Sequence, residues 1–130
     1  MSNYTNLDLK IDGHVATLTL NNPPAHTWTA ESLASLKQLV TDLNNNDSVY
    51  ALVIHGDGEK FFSAGADLNT FADGDKGNAI SMAIAFGEAF EALSNYRGVS
   101  IAAINGYAMG GGLETALACD IRIAESHAVM

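Results

Sequence analysis

The chain opens with two stretches in which apolar and polar residues alternate. Leu7, Leu9 and Ile11 are separated by Asp8 and Lys10, and Ala16, Leu18 and Leu20 by Thr17 and Thr19. A period of two places one set of side chains on one face of a strand, so strands are predicted over residues 7–11 and 15–20. Asp12-Gly13 between them is a turn signal, and the pair predicts a hairpin. After a loop holding both prolines (residues 21–27) the period changes. Leu33, Leu36, Leu39, Val40 and Leu43 recur at helical spacing, with Thr29 where an N-cap belongs and Glu31 in the first turn. Asn44-Asn45-Asn46-Asp47 ends that helix.

Three short apolar runs follow, over residues 50–55, 99–104 and 120–124, and predict buried strands. Ile80, Ile84, Phe86, Phe90 and Leu93 predict a helix over 79–95 between the first two, and a short helix is predicted over 113–118 before the third. Residues 56–58 read as a turn, 61–68 as a Gly/Ala-rich loop or helix entry, and 73–78 as a second loop. Alternation of strand and helix predicts an α/β fold with parallel pairing and right-handed crossovers. No simple repeat or internal boundary interrupts residues 1–130, which read as one domain. The last residue, Met130, follows a predicted strand with no closing helix, so the expectation is of a domain incomplete at its C-terminus.

Charge and composition narrow the partners. Six basic against fifteen acidic residues give a net charge of -9, which argues against nucleic acid or an anionic membrane surface. The single cysteine, Cys119, has no intramolecular partner, sits in an apolar stretch and reads as a core thiol in a reducing compartment. The N-terminal residues are polar, without the apolar run of a secretory signal, and no run reaches the roughly 18 apolar residues of a membrane helix. The expected location is cytoplasmic.

Two stretches carry the chemistry. In Ile104-Asn105-Gly106-Tyr107-Ala108-Met109-Gly110-Gly111-Gly112-Leu113-Glu114 an apolar run feeds a glycine triplet that opens a helix, with a carboxylate just inside. Glycines let a ligand reach the backbone, and the first N–H groups of a helix lack partners. A tight strand-to-helix turn with a dipole-favoured Glu is the plain alternative. A dinucleotide fingerprint fits poorly, because Thr115 stands at its last glycine position. The second stretch is Phe61-Phe62-Ser63-Ala64-Gly65-Ala66-Asp67-Leu68, again beyond a strand end, where ligands of open α/β folds gather. Two such ends can aim two N–H donors at one oxygen, an oxyanion hole. His14, His26, His55 and His127 are scattered, so no metal site is expected. Asp73-Gly74-Asp75-Lys76-Gly77 is a poor calcium loop, since Ile84 stands where the closing Glu belongs.

At these two stretches the chain resembles the crotonase superfamily, the enoyl-CoA hydratase/isomerase family. Phe62-Ser63-Ala64-Gly65-Ala66-Asp67-Leu68 is similar to its first substrate-binding segment, and Ile101 through Glu114 to its second. Ala116-Leu117-Ala118-Cys119-Asp120-Ile121-Arg122-Ile123-Ala124 and the loop Leu20-Asn21-Asn22-Pro23-Pro24-Ala25 extend the match over nearly the whole chain. The resemblance implies an α/β crotonase-like spiral of ββα repeats (the ClpP/crotonase fold) acting on acyl-CoA thioesters. It implies that the N–H groups of Ala66 and Gly111 hold the thioester oxygen. Ala64, Gly65, Asp67, Leu68, Asn69 and Gly110 would line the acyl-CoA channel, and Ala25 and His26 would touch CoA. Glu114 matches the first catalytic glutamate, acting on water, whereas the position of the second falls just beyond Met130. No cofactor is implied, coenzyme A being part of the substrate, and assembly is expected as trimers or paired trimers built through C-terminal helices. Hydration of a 2-enoyl-CoA is the leading expectation. Enoyl-CoA isomerisation or other acyl-CoA enolate chemistry, and an inactive acyl-CoA-binding or assembly fragment, are the alternatives. Acyl chain length and pathway, fatty-acid metabolism included, are left open by the residues.

Overall fold

A computed structural model describes residues 3–130. The two alternating stretches form β1 (Leu7–Asp12) and β2 (Val15–Leu20), an antiparallel hairpin pairing Leu7 with Leu20 and Asp12 with Val15. Helix α1 (Ala30–Asn44) begins at a reciprocal cap. Thr29 Oγ1 accepts the Ser32 N–H at 3.1 Å, and Ser32 Oγ accepts the Thr29 N–H at 2.9 Å. There follow β3 (Ala51–Gly56), β4 (Phe61–Ser63), a 3-10 turn (Leu68–Phe71), α2 (Lys76–Ser94), β5 (Val99–Ile104), β6 (Tyr107–Ala108), α3 (Gly111–Ala118) and β7 (Ile121–Ala124).

This order is a strand–strand–helix unit three times over: β1-β2-α1, β3-β4-α2 and β5-β6-α3, with β7 beginning a fourth. The large sheet has the order β1-β2-β3-β5-β7, and every pairing after the hairpin is parallel. The short strands β4 and β6 pair with each other, in parallel, as a second small sheet. Isolated bridges continue it on either side, Trp28 with Ala66 and Tyr107 with Val129. The expected α/β architecture of ββα repeats is therefore present. The Gly/Ala-rich stretch read as a loop or helix entry contains β4, whose partner β6 is 46 residues downstream by the pairing of Phe61 with Tyr107. No local period marks strands this short.

One face of the large sheet carries the core. Ala16, Leu18 and Leu20, Leu52 and Ile54, and Ala102 and Ile104 are buried with Leu33, Leu36, Leu39, Val40 and Leu43 of α1. The alternate positions are more open: Val15 is 40% exposed, Val99 45%, Ile121 46% and Ile123 62%. Of the runs predicted as buried strands, those over 50–55 and 99–104 are thus covered on one face only, and β7 is exposed at all four of its positions.

Helix α2 also departs from expectation. It starts at Lys76, because Asp75 caps it by accepting the Gly77 N–H at 2.9 Å. Its buried stripe runs through Met82, Ala89 and Leu93, with Ala85, Phe86 and Phe90 packed beside them. Ile80 and Ile84, expected on that face, are 51% and 55% exposed. Apolar residues surround this helix, so its sequence does not encode which side turns inward. No helix among the described residues is long and apolar enough to cross a membrane.

Cys119 lies in the core at 5% exposure, and its Sγ contacts the Thr115 carbonyl at 3.5 Å. Burial pushes its thiol up to about 11, with the Asp120 carboxylate adding to the rise. The thiolate is the reactive form, so in folded protein at pH 7–8 Cys119 should resist alkylation that proceeds readily once the chain is unfolded. A folded state that holds a proton more tightly than the unfolded chain loses stability as pH rises. The contribution is complete below the ordinary thiol value of 9.0 and declines as pH climbs toward about 11. Timed thiol labelling with and without denaturant checks the first statement, and denaturant titrations across that alkaline window check the second.

Candidate active site

Two backbone legs meet at the C-terminal ends of β4 and β6. On the first leg, residues 25–28 lie beside residues 64–67 like an extra strand. The Ala64 N–H donates to the Ala25 carbonyl at 2.9 Å, the Trp28 N–H to the Gly65 carbonyl at 2.7 Å, and the Asp67 N–H to the Trp28 carbonyl at 3.0 Å. Ser63, fully buried, reinforces the pairing: its Oγ donates to the His26 carbonyl at 2.7 Å and accepts the Gly65 N–H at 3.2 Å. Successive N–H groups of extended chain point to opposite sides. With Asp67 N–H directed at Trp28, that of Ala66 faces away from it.

On the second leg the Met109 N–H donates to the Ser63 carbonyl at 3.0 Å, and Gly110, at φ 50°, turns the chain into α3. Gly110 supplies no side-chain cap. The Gly112 N–H reaches the Met109 carbonyl at 2.8 Å and the Glu114 N–H the Gly110 carbonyl at 3.0 Å. The first N–H of a helix has no intrahelical acceptor, and in α3 that group belongs to Gly111. Among the described residues, neither the Ala66 nor the Gly111 N–H has an intramolecular partner.

Glycines bring the legs into contact. A Cβ on Gly65, whose φ is +100°, would lie 2.9 Å from the Met109 carbonyl oxygen and 3.0 Å from the Gly111 nitrogen. A Cβ on Gly112 would lie 2.0 Å from the Ser63 carbonyl oxygen. Only a residue without a side chain permits backbones this close.

Two cavities share the junction. One of about 440 Å³ is lined by Ala66, Ala83, Phe86, Gly87, Phe90, Gly111 and Glu114. Another, of about 520 Å³, is lined by Thr27, Ala64, Ala66, Leu68, Gly110 and Gly111. Ala66 and Gly111 belong to both. In the first, Glu114 projects from the first turn of α3 beside two phenylalanines of α2, and its carboxylate makes no ion pair or hydrogen bond among the described residues. A polar acceptor at the junction meets unpartnered N–H donors, with an available base on one side and an open channel on the other.

The fold therefore gathers Ala64, Ala66, Leu68, Gly110, Gly111 and Glu114 from the expected residues. Gly65 is behind them, buried against Gly111. Asp67 accepts the Asn69 N–H at 3.0 Å and caps the 3-10 turn, and neither residue lines the two cavities. Ala25 holds the strand leg through its carbonyl. His26 is 5% exposed. Its Nδ1 accepts the Asn22 N–H at 3.1 Å and its Nε2 donates to the Asp57 carbonyl at 2.8 Å, so the ring ties its own loop to the turn after β3 and both ring nitrogens are engaged. Sequence reasoning missed Phe86 and Phe90 as site residues, assigning them to the helix core, and did not single out Trp28. The signal for Trp28 was faint: a lone tryptophan directly before an N-cap.

A family model described as enoyl-CoA hydratase/isomerase matches residues 10–130. A Bacillus subtilis (strain 168) protein named "Probable enoyl-CoA hydratase" is 40% identical over 124 residues, 94% of this chain and 47% of that protein. Among solved structures, Pseudomonas aeruginosa DspI is similar at 63% identity and a TM-score of 0.95, covering 98% of this chain and 52% of the other. An enoyl-CoA hydratase from Bacillus anthracis is similar at 32% identity and a TM-score of 0.92, with 95% and 49% covered. The chain spans about half the length of the curated relatives it matches.

Proposed function

This chain belongs to the enoyl-CoA hydratase/isomerase family, and we propose that the protein carrying it is an enoyl-CoA hydratase, reversibly adding water across the C2–C3 double bond of a 2-enoyl-CoA. The observation that carries the reading is the pair of unpartnered N–H groups, Ala66 and Gly111, at the junction of two cavities with the Glu114 carboxylate in one of them.

The chemistry asks for this combination. Water attacks C3 only if the charge building on the thioester oxygen is stabilised. The Ala66 and Gly111 N–H groups donate to that oxygen, and losing one such donor typically costs ~3 kcal/mol of barrier stabilisation. They are fixed in direction by the folded backbone, so little reorganisation is needed as charge develops. The acyl part lies in the cavity bounded by Phe86 and Phe90, and the CoA part leaves past Ala64, Leu68 and Gly110. Glu114 orients a water on the acyl side and takes its proton as the C3–O bond forms. A second acid must deliver a proton to C2, and the family resemblance implies a second glutamate for that role. Neither metal nor organic cofactor enters this scheme.

The test is hydration of crotonyl-CoA by the full-length protein, followed as loss of the enoyl thioester absorbance. Turnover is expected. No turnover with short- or medium-chain 2-enoyl-CoA would overturn the reading.

A further inference from the structure

We propose that Trp28 is a positioning residue that holds both N–H donors of the oxyanion hole in one frame; this rests on the function proposed above. Trp28 touches both legs. Its backbone grips the first: the Trp28 N–H donates to the Gly65 carbonyl at 2.7 Å, and its carbonyl accepts the Asp67 N–H at 3.0 Å. Those two bonds flank Ala66 and direct its N–H outward. Its side chain, 2% exposed, grips the second. The indole Nε1–H donates to Thr115 Oγ1 at 3.0 Å, and that hydroxyl donates to the Gly111 carbonyl at 2.7 Å. Thr115 is itself fully buried. One residue therefore links the peptide leg bearing the first donor to the helix turn bearing the second, through bonds shielded from water.

The link has a directional character that packing alone lacks. An indole N–H is a donor only, so Thr115 Oγ1 must accept from it and turn its own proton to Gly111. In a chain of this kind each bond polarises the next. The indole ring also meets Phe90 edge-on, with centroids 6.0 Å apart at 74°, and Phe90 lines the cavity holding Glu114. Trp28 is thus in hydrogen-bonded contact with both legs and in ring contact with the acyl wall. Neither Trp28 nor Thr115 lines the cavity at Glu114, so their effect on the reaction runs through the donors.

The experiment compares the full-length parent protein with Trp28→Phe, Thr115→Val and Thr115→Ser. Trp28→Phe keeps an aromatic ring against Phe90 and removes the N–H. Thr115→Val keeps the volume and removes the hydroxyl, while Thr115→Ser keeps the hydroxyl. Two readouts are taken: kcat and KM for crotonyl-CoA, and the infrared carbonyl stretch of bound butyryl-CoA, which moves to lower frequency when an oxyanion hole polarises the thioester. Trp28→Phe and Thr115→Val are expected to lower kcat by about ten- to a hundredfold through misplacement of the donors, and to reduce the carbonyl shift. Thr115→Ser should restore both. If Trp28→Phe fails to fold, the Thr115 pair carries the test alone. A parent shift that persists undiminished in the folded variants, with kcat unchanged, would overturn the link while leaving the proposed function standing. A parent that neither turns over nor shifts the carbonyl would overturn both together.

Discussion

Replacing Glu114 by Gln is expected to lower kcat for 2-enoyl-CoA hydration by about 10²–10⁴-fold, the usual contribution of a positioned general base, while acyl-CoA binding stays within a few-fold of the parent. The amide keeps the shape of the side chain and its place among Phe86, Phe90 and Gly111 but gives up the ability to take a proton. The Ala66 and Gly111 donors are untouched, so the ground-state complex survives. Steady-state kinetics on crotonyl-CoA together with calorimetry on a saturated acyl-CoA separate the two effects. Glu114 has a competing role, as a negative charge in the first turn of α3, where it is favourable with the helix dipole by about 0.3–1 kcal/mol. Near-normal turnover in Glu114→Gln, with a small drop in stability, would show that this is its only role.

Gly65→Ala is expected to damage both activity and stability. At φ +100° a side chain is strained whatever surrounds it, typically by about 1–3 kcal/mol. The new Cβ would also press on the Met109 carbonyl oxygen at 2.9 Å and the Gly111 nitrogen at 3.0 Å. Both are backbone atoms, and one of them carries a proposed donor, so relief comes only by moving the strand leg and α3 apart. Small displacements of positioned groups cost about 10²-fold in rate, and kcat should fall by at least that much. Tm should fall with it. Gly111→Ala differs in kind, because its Cβ would meet Phe86 Cε1 at 2.7 Å, the far end of a ring rather than backbone. Scanning calorimetry and kinetics on Gly65→Ala decide the point. Parent-like values of both would show that the two legs are not held in backbone contact in solution.

Much of the fold was legible along the chain. The hairpin followed from alternation in residues 7–20, and α1 from its leucine spacing and the Thr29 cap. The parallel pairing among β2, β3, β5 and β7 followed from strands alternating with helices. Three things were not fully legible. Strands β4 and β6 have three and two residues, too few for a period, and exist because they pair with each other. The phase of α2 was legible only in part: Leu93 is buried and Phe86 and Phe90 pack against the core as expected, but Ile80 and Ile84 are exposed although they are as apolar as the Met82 that faces inward. The open outer face of the sheet was hidden because strands over 50–55 and 99–104 are apolar at both alternating positions.

For the site, residue identity and residue placement came from different sources. The sequence by itself determined which groups are available: the small residues at 64–66, the glycine triplet, a carboxylate two residues after it, and no cluster of histidines to suggest a metal. It also carried the family resemblance, because those groups stand in a recognisable order. Only the tertiary structure decided which of them meet. It brought Gly65 against Gly111, left the N–H groups of Ala66 and Gly111 without partners among the described residues, and engaged both nitrogens of the His26 ring with Asn22 and Asp57. It also tied the two legs through Trp28 and Thr115, residues 87 positions apart. The reason is physical. Residue types and local periods are properties of neighbours along the chain, whereas backbone contact and a vacant N–H depend on what the rest of the fold has already paired.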